Sequence, residues 1–256
     1  MVAQGLFAAL FPSDCRLCGA PLENISRLPV CLSAMQPIAV ETCEICGEGL
    51  ASPGEIQTCG PCRESRPQFE KAGAYGSYAG ELREFIHLLK YEQVLPAADL
   101  LGGMLARAIV KLEVPQPVLM IPVPLHSSKR RRRRFNEAEI IARAALKQSA
   151  MSGTELATNL LVRQSATVSQ IGLTRPQRIE NIRGAFRIDY PERIAGRRIL
   201  LIDDVLTTGT TASECARVLR KAGADKVWVA TVARTLKNTG VNFAVEPDFE
   251  IATWAS

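Results

Sequence analysis

The stretch LLIDDVLTTGTTASE, Leu200 to Glu214, sets an apolar run against two adjacent acids, Asp203 and Asp204, and then against Thr207, Thr208, Gly209, Thr210 and Thr211. A threonine and glycine turn between a strand and the start of a helix is an anion cradle. Consecutive backbone N–H groups, short hydroxyls and the positive end of the helix dipole converge on one point there. Two carboxylates beside a bound phosphate repel it unless they face something neutral or cationic, such as sugar hydroxyls or Mg²⁺. A phosphorylated ribose satisfies both halves, with its 5′-phosphate in the cradle and its 2′- and 3′-hydroxyls on the acids. The lysine-bearing nucleotide loop G-x-x-x-x-G-K-[ST] and the dinucleotide fingerprint G-x-G-x-x-G are both absent from this stretch.

A second constellation lies upstream. Of eight cysteines, seven fall in the first 62 residues. Cys43-x-x-Cys46 and Cys59-x-x-Cys62 are two pairs twelve residues apart, the spacing at which four thiolates close a tetrahedral structural zinc site. An incomplete copy precedes them: Cys15-x-x-Cys18 is followed by Cys31, but Ala34 stands where a fourth sulfur is expected, which leaves zinc at that first knuckle in doubt. About 60 residues with few large aliphatics bury too little surface to fold unaided, so metal binding there becomes folding energy.

The third constellation is KRRRRRF, Lys129 to Phe135, with six consecutive cations directly after an apolar segment. It admits three uses: neutralising a pyrophosphate, neutralising a nucleic-acid backbone, or forming a solvated turn. Of the two histidines, His87 falls on the apolar face of a helical pattern and reads as a core residue. His126, just after a strand, is the better candidate for chemistry, and neither is assignable as a general base.

The elements that must position these groups follow from periodicity. Leu82, Phe85, Ile86 and Leu89, then Leu100, Leu101, Met104, Leu105 and Ile109, predict two helices broken at Pro96. VLMIPVPL (Val118 to Leu125), RRILLIDDV and KVWVATVART read as buried strands. Helices are expected from Asn136, which caps the first of them, and across TASECARVLRKAGA, stopped by Gly223. Apolar strands alternating with helices make an α/β fold with a parallel sheet covered on both faces, whose ligands bind beyond the carboxyl ends of the strands. The charged, proline-containing connector CRESRPQFEKAG places a boundary near residue 66, giving a metal module over 1–66 and an α/β domain over 67–256. Residues 1–66 carry four Lys/Arg against seven Asp/Glu and the rest twenty-seven against nineteen, so the basic character belongs to the larger part. The acidic balance of the module argues against nucleic acid as its own ligand and favours a docking role.

The motif ILLIDDVLTTGTT resembles the phosphoribosyl pyrophosphate (PRPP) motif of type I phosphoribosyltransferases. Together with PVPLH (Pro122 to His126), RRFNEA (Arg133 to Ala138), RQSATVSQ (Arg163 to Gln170) and RIENIRGAF (Arg178 to Phe186), it makes nearly the whole chain similar to the ComF/GntX family. Members of that family look like a double zinc ribbon joined to such a transferase. The resemblance implies Mg²⁺-dependent displacement of pyrophosphate at the ribose C1, with Asp203 and Asp204 as the catalytic acids. It implies PRPP binding by Val205, Leu206, Thr207, Thr208, Gly209, Thr210 and Thr211, with Pro124, Leu125, His126 and Arg133 opposite. A hood carrying Arg163, Gln170, Arg178 and Asn181 would close over the reacting centre. It also implies a link to natural competence and DNA uptake: single-stranded DNA as a ligand, a DNA-import ATPase docking on the ribbon, and, as the alternative to turnover, a PRPP-sensing protein that uses the same pocket. Two departures stand out: Ala34, and Arg134 where the family has glycine before Phe-Asn.

No apolar run reaches the roughly 18 residues that cross a bilayer, and the N-terminus lacks a secretory signal, so no membrane insertion and a cytoplasmic setting are expected.

Overall fold

The computed structural model describes residues 34–50, 54, 57–148, 151–165 and 175–237. Cys15, Cys18, Cys31 and Gln170 lie outside them. Five strands form one parallel sheet: β1 (Lys71–Ser77), β2 (Val118–Pro122), β3 (Thr154–Leu156), β6 (Arg198–Leu206) and β7 (Lys226–Arg234), in the order β1-β7-β6-β2-β3. β6 lies at the centre, with Ile202 opposite Pro122 of β2 and Ala230 of β7. A separate antiparallel ribbon pairs β4 (Leu161–Arg163) with β5 (Phe186–Ile188).

The central strands are apolar on both faces because each face is covered. Leu200, Ile202, Met120, Trp228 and Ala230 pack under α2 (Gly80–Glu92), α3 (Ala97–Leu112) and α5 (Glu137–Gln148). Ile199, Leu201, Leu119, Ile121, Val227 and Val229 pack under α7 (Thr210–Lys221) and the hairpin. The alternation of neighbours between the two clusters is the period of two along a strand. Asn136 caps α5 as the sequence predicts, its Oδ1 accepting from the Ala138 N–H at 3.2 Å while its Nδ2 donates to the Val123 carbonyl at 3.0 Å. The second bond ties the cap to the end of β2.

Strand β1 was not foreseen, because KAGAYGS offers no β-branched run. Its small residues have a packing reason: a Cβ on Gly73 would stand 2.9 Å from Leu112 Cγ, and one on Gly76 2.6 Å from Leu82 Cδ2. The outer edge of β1 is covered rather than open. Ala72 N–H donates to the Ile45 carbonyl at 2.7 Å, Ile38 N–H to the Tyr75 carbonyl at 2.8 Å, and the Tyr75 hydroxyl to the Met35 carbonyl at 3.1 Å. The cysteine module therefore occupies the place where an edge strand would otherwise offer unpaired donors and acceptors. Its buried thiols continue the cluster that contains Phe69, Ala72 and Leu206. Among the described residues no helix is long and apolar enough to cross a membrane.

Helices α3 and α5 approach at Gly102, where an added Cβ would lie 2.5 Å from Ala144 Cβ and 2.8 Å from the Ala144 carbonyl carbon. Backbone on the far side cannot yield as a side-chain tip can. Gly102→Ala is accordingly expected to lower stability by about 1–3 kcal/mol, read from the urea midpoint. An unchanged midpoint would show that the helices are not in contact there.

Candidate functional site

Strand β6 carries Asp203 and Asp204, both half-buried, near its carboxyl end at Leu206, and the chain then turns through Thr207–Gly209 into α7. Gly209 makes the turn possible: it is the N-cap, at φ +75°, a conformation that a side chain at this position would strain. Thr208 Oγ1 and Thr210 Oγ1 share a hydrogen bond of 2.8 Å, which pins the two hydroxyls at the start of the helix. Thr211 is half-buried beside them, whereas Leu206 is buried and Val205 packs on the α3 side of the sheet.

The two acids are unequal. Asp204 Oδ2 lies 2.7 Å from Lys90 Nζ, its Oδ1 accepts the Val205 N–H at 2.7 Å, and its own N–H donates to Asp203 Oδ1 at 3.0 Å. Burial opposes ionisation of Asp204, but the Lys90 ammonium outweighs it and holds the carboxyl below the usual aspartate range. Burial and the Asp204 charge next door push Asp203 well above that range. Lys90 comes from the last turn of α2, and nothing in its sequence neighbourhood marks it as a partner of Asp204. Its nitrogen also stands 6.0 Å over the Tyr78 ring, and the Tyr78 hydroxyl shares a 2.8 Å hydrogen bond with His87 Nε2. His87 is thus half-buried in a polar cluster rather than in the apolar core that its helical position suggests.

The arginine run is helical, not a turn: α4 spans Ser127–Arg133, with His126 as its N-cap accepting the Ser128 N–H on Nδ1 at 3.3 Å. Pro124, Leu125 and His126 are half-buried between β2 and this helix. Arg133 turns inward, donating to Glu137 Oε1 at 2.6 Å and stacking 5.2 Å over Tyr91, and its charge contributes to keeping Asp204 ionised. Glu137 is raised above the ordinary range, chiefly by its own burial. Arg130, Arg131 and Arg134 are exposed. Arg134 takes φ +69° and ψ −13°, so the backbone keeps the left-handed bend of a glycine although the residue has changed, at a cost of about 1 kcal/mol.

On the threonine side of the loop is a cavity of about 720 Å³. Its walls are Thr207–Thr210 and Ser213, the helix α6 (Arg175–Ile182) through Arg178 and Ile182, and the cysteine module through Cys46, Cys59 and Cys62. Arg178 lines this cavity together with the threonine loop, and Asn181 on the same helix is not among its lining residues. Arg163, on β4, stacks 5.5 Å from the Phe186 ring, and burial draws its guanidinium below the ordinary arginine range.

The donor set at the cysteines fits zinc. The four sulfurs of Cys43, Cys46, Cys59 and Cys62 lie within 4.8 Å of one another, and Cys46 Sγ is 3.6 Å from Cys59 Sγ. A tetrahedron with 2.3 Å bonds has edges of about 3.8 Å. Burial opposes ionisation at Cys43, but backbone N–H groups of Cys59, Cys46 and Ile45 outweigh it and bring the thiol down to about 7. Burial pushes Cys46 up to about 12. A divalent cation is what would hold all four as thiolates. Gly47, at φ +70°, turns the first knuckle, and its N–H donates to the Cys43 carbonyl at 2.8 Å. Arg234, 3% exposed at the end of β7, donates through Nη2 to Cys46 Sγ at 3.4 Å and to Glu48 Oε2 at 3.3 Å.

Comparison with known proteins agrees with this geometry. Residues 150–252 match the family model described as phosphoribosyl transferase domain. That stretch, which holds β6 and the threonine loop, is similar to a phosphoribosyl transferase domain. It is 28% identical over 231 residues to the DNA utilization protein YhgH of Salmonella typhi, covering 88% of this chain and 98% of that one. It is 29% identical over 219 residues to competence protein F of Haemophilus influenzae, covering 82% and 93%. An amidophosphoribosyltransferase of Saccharomyces cerevisiae is 21% identical over 183 residues, 69% of this chain and 33% of the other. The ComF/GntX resemblance read from the motifs stands on these relatives, together with the parallel sheet and the cysteine quartet of the phosphoribosyltransferase-fold chain.

Asp203 yields a sign that can be checked. Its carboxyl titrates above the unfolded value, so its contribution to stability is present below about pH 4 and is lost as pH rises through the folded value. Asp203→Asn removes that cost. The variant is expected to melt about 2–4 °C higher than the parent at pH 7, with the gain disappearing below about pH 4. Equal melting temperatures at pH 7 would mean that Asp203 is not held protonated by its surroundings.

Proposed function

We propose that this protein binds PRPP and transfers its phosphoribosyl group, with loss of pyrophosphate, to an acceptor still to be identified. The observation that carries this reading is the run of two buried acids into a glycine-turned threonine loop at the centre of a parallel sheet, within a chain that matches the phosphoribosyl transferase domain. The loop amides and hydroxyls would anchor the 5′-phosphate, and Asp203 and Asp204 would hold the ribose hydroxyls and stabilise the positive charge that develops as the C1–pyrophosphate bond breaks. Pro124, Leu125, His126 and Arg133 would face the leaving group, and the hood residues Arg163, Arg178 and Asn181 would close over the centre to exclude water. Three of the four oxygens of the acids already accept a hydrogen bond or face Lys90, which disfavours a Mg²⁺ site made by the acids alone. The ion would arrive on the pyrophosphate and neutralise it there. Zinc in the Cys43, Cys46, Cys59 and Cys62 quartet would be structural. In this reading residues 67–256 form the transferase part and residues 1–66 the ribbon module, a docking surface for a DNA-import ATPase.

A second reading is binding without turnover in the handling of single-stranded DNA. It is favoured by the exposed Arg130, Arg131 and Arg134 and by the names of the relatives, DNA utilization and competence proteins.

The readings separate in two experiments. Incubated with Mg²⁺, PRPP and a panel of bases and amines, the protein is expected to release pyrophosphate with at least one acceptor, and Asp204→Asn to lower that rate about 100-fold or more. Saturable PRPP binding with no release from any acceptor would exclude the transferase. For the second reading, replacing Arg130, Arg131 and Arg134 with glutamine should weaken oligothymidine binding and reduce the slope of log K against log salt by about 2. An unchanged slope would remove these arginines from any DNA interface.

A further inference from the structure

The sequence poses an electrostatic problem, two acids beside a phosphate cradle, which a divalent cation would ordinarily relieve. The structure contains another cation in that place. Lys90 Nζ stands 2.7 Å from Asp204 Oδ2, and the two side chains are only 15% and 13% exposed. The remaining Asp204 oxygen accepts the Val205 N–H, and Asp203 Oδ1 accepts the Asp204 N–H. Mg²⁺ demands a near-octahedral set of oxygens at about 2.0–2.1 Å, so an ammonium in contact with the same carboxylate competes directly with it.

We propose that Lys90 is the site's built-in cation, a positioning residue that keeps Asp204 charge-balanced so that the ribose 5-phosphate end of the ligand binds with no metal held by the protein. The inference rests on the ribose-phosphate reading of the site and adds to it which part of the ligand needs a metal. Three features support it. The pair is shielded from solvent, so the attraction is weakly screened and persistent. Lys90 is fixed from behind by the Tyr78 ring, itself held by His87. Asp204 keeps the ammonium charged in spite of its burial. The second nearby cation, Arg133, is held by Glu137 and contributes less than Lys90 to keeping Asp204 ionised. Magnesium is then needed only by the pyrophosphate, and a ligand that lacks pyrophosphate exposes the difference.

The test uses the full-length, zinc-loaded chain and ribose 5-phosphate, titrated by calorimetry in buffer freed of divalent ions on a chelating resin and again with added Mg²⁺. The expected result is an affinity that changes less than about 2-fold between the two conditions for the parent protein and for Lys90→Arg. For Lys90→Met, affinity should fall about 10-fold or more without metal and be partly restored by Mg²⁺. A parent protein that binds ribose 5-phosphate only with Mg²⁺ overturns this inference and leaves the ribose-phosphate reading intact. Binding under neither condition overturns that reading itself. Should Lys90→Met fail to fold, the parent comparison and Lys90→Arg still decide. A folded Lys90→Met that binds like the parent without metal overturns the proposal.

Discussion

Two carboxylates on consecutive residues at the end of a buried strand cannot both ionise without a counter-charge, and much of this structure is organised around that constraint. The sheet needs Ile202 and its neighbours inside, which carries Asp203 and Asp204 to the rim of a desolvated region. Lys90 supplies the positive charge, and the pair of acids divides into one ionised member and one held toward its neutral form. That division is chemically useful. A carboxylate and a carboxylic acid side by side offer an acceptor and a donor to vicinal hydroxyls, whereas two carboxylates offer acceptors alone.

The same constraint explains why α2 lies where it does. Its apolar residues Leu82, Phe85, Ile86 and Leu89 bury against the sheet, and Lys90, the next residue, is carried to the strand end, where it meets Asp204. Tyr91 follows and receives the Arg133 guanidinium. One helix end therefore joins the acids of β6 to the basic helix after β2, so the two halves of the site are built on one rigid corner rather than on independent loops.

What was legible in the sequence was whatever is local. The apolar run, the two acids and the threonine turn are contiguous, so strand, site and helix could be read in order. The cysteine pairs carry their own spacing, and helices α2, α3, α5 and α7 announce themselves by periodicity. What escaped depends on contacts distant along the chain. Lys90 lies more than a hundred residues before Asp204 and, on an amphipathic helix, reads as an ordinary solvated lysine. β1 is built of small residues because Leu82 and Leu112 press on it, a reason visible only in the packing. The arginine run looked like a turn because six cations have no apolar period. Its helix is anchored at its ends instead, by the His126 cap and by Arg133 reaching Glu137.

The cysteine module is joined to the site by one side chain more than by surface. Arg234 sits opposite Leu206 in the sheet register, at the point where β6 gives way to the threonine loop. Its guanidinium reaches away from the sheet to Cys46 and Glu48, and Glu48 also accepts the Lys237 N–H at 2.8 Å. Four thiolates around a divalent metal carry a net charge of about −2, and a buried arginine against them balances part of it. Without the metal, burial drives Cys46 toward its neutral thiol, and among the described residues Arg234 keeps Glu48 as its ionic partner. The end of β7 would then lose part of what fixes it, and with it the strand that flanks the cradle. The cysteine module covers the β1 edge, walls the cavity beside Thr207–Thr210 and holds Arg234, so the geometry of the quartet and that of the threonine loop are coupled through the same strands.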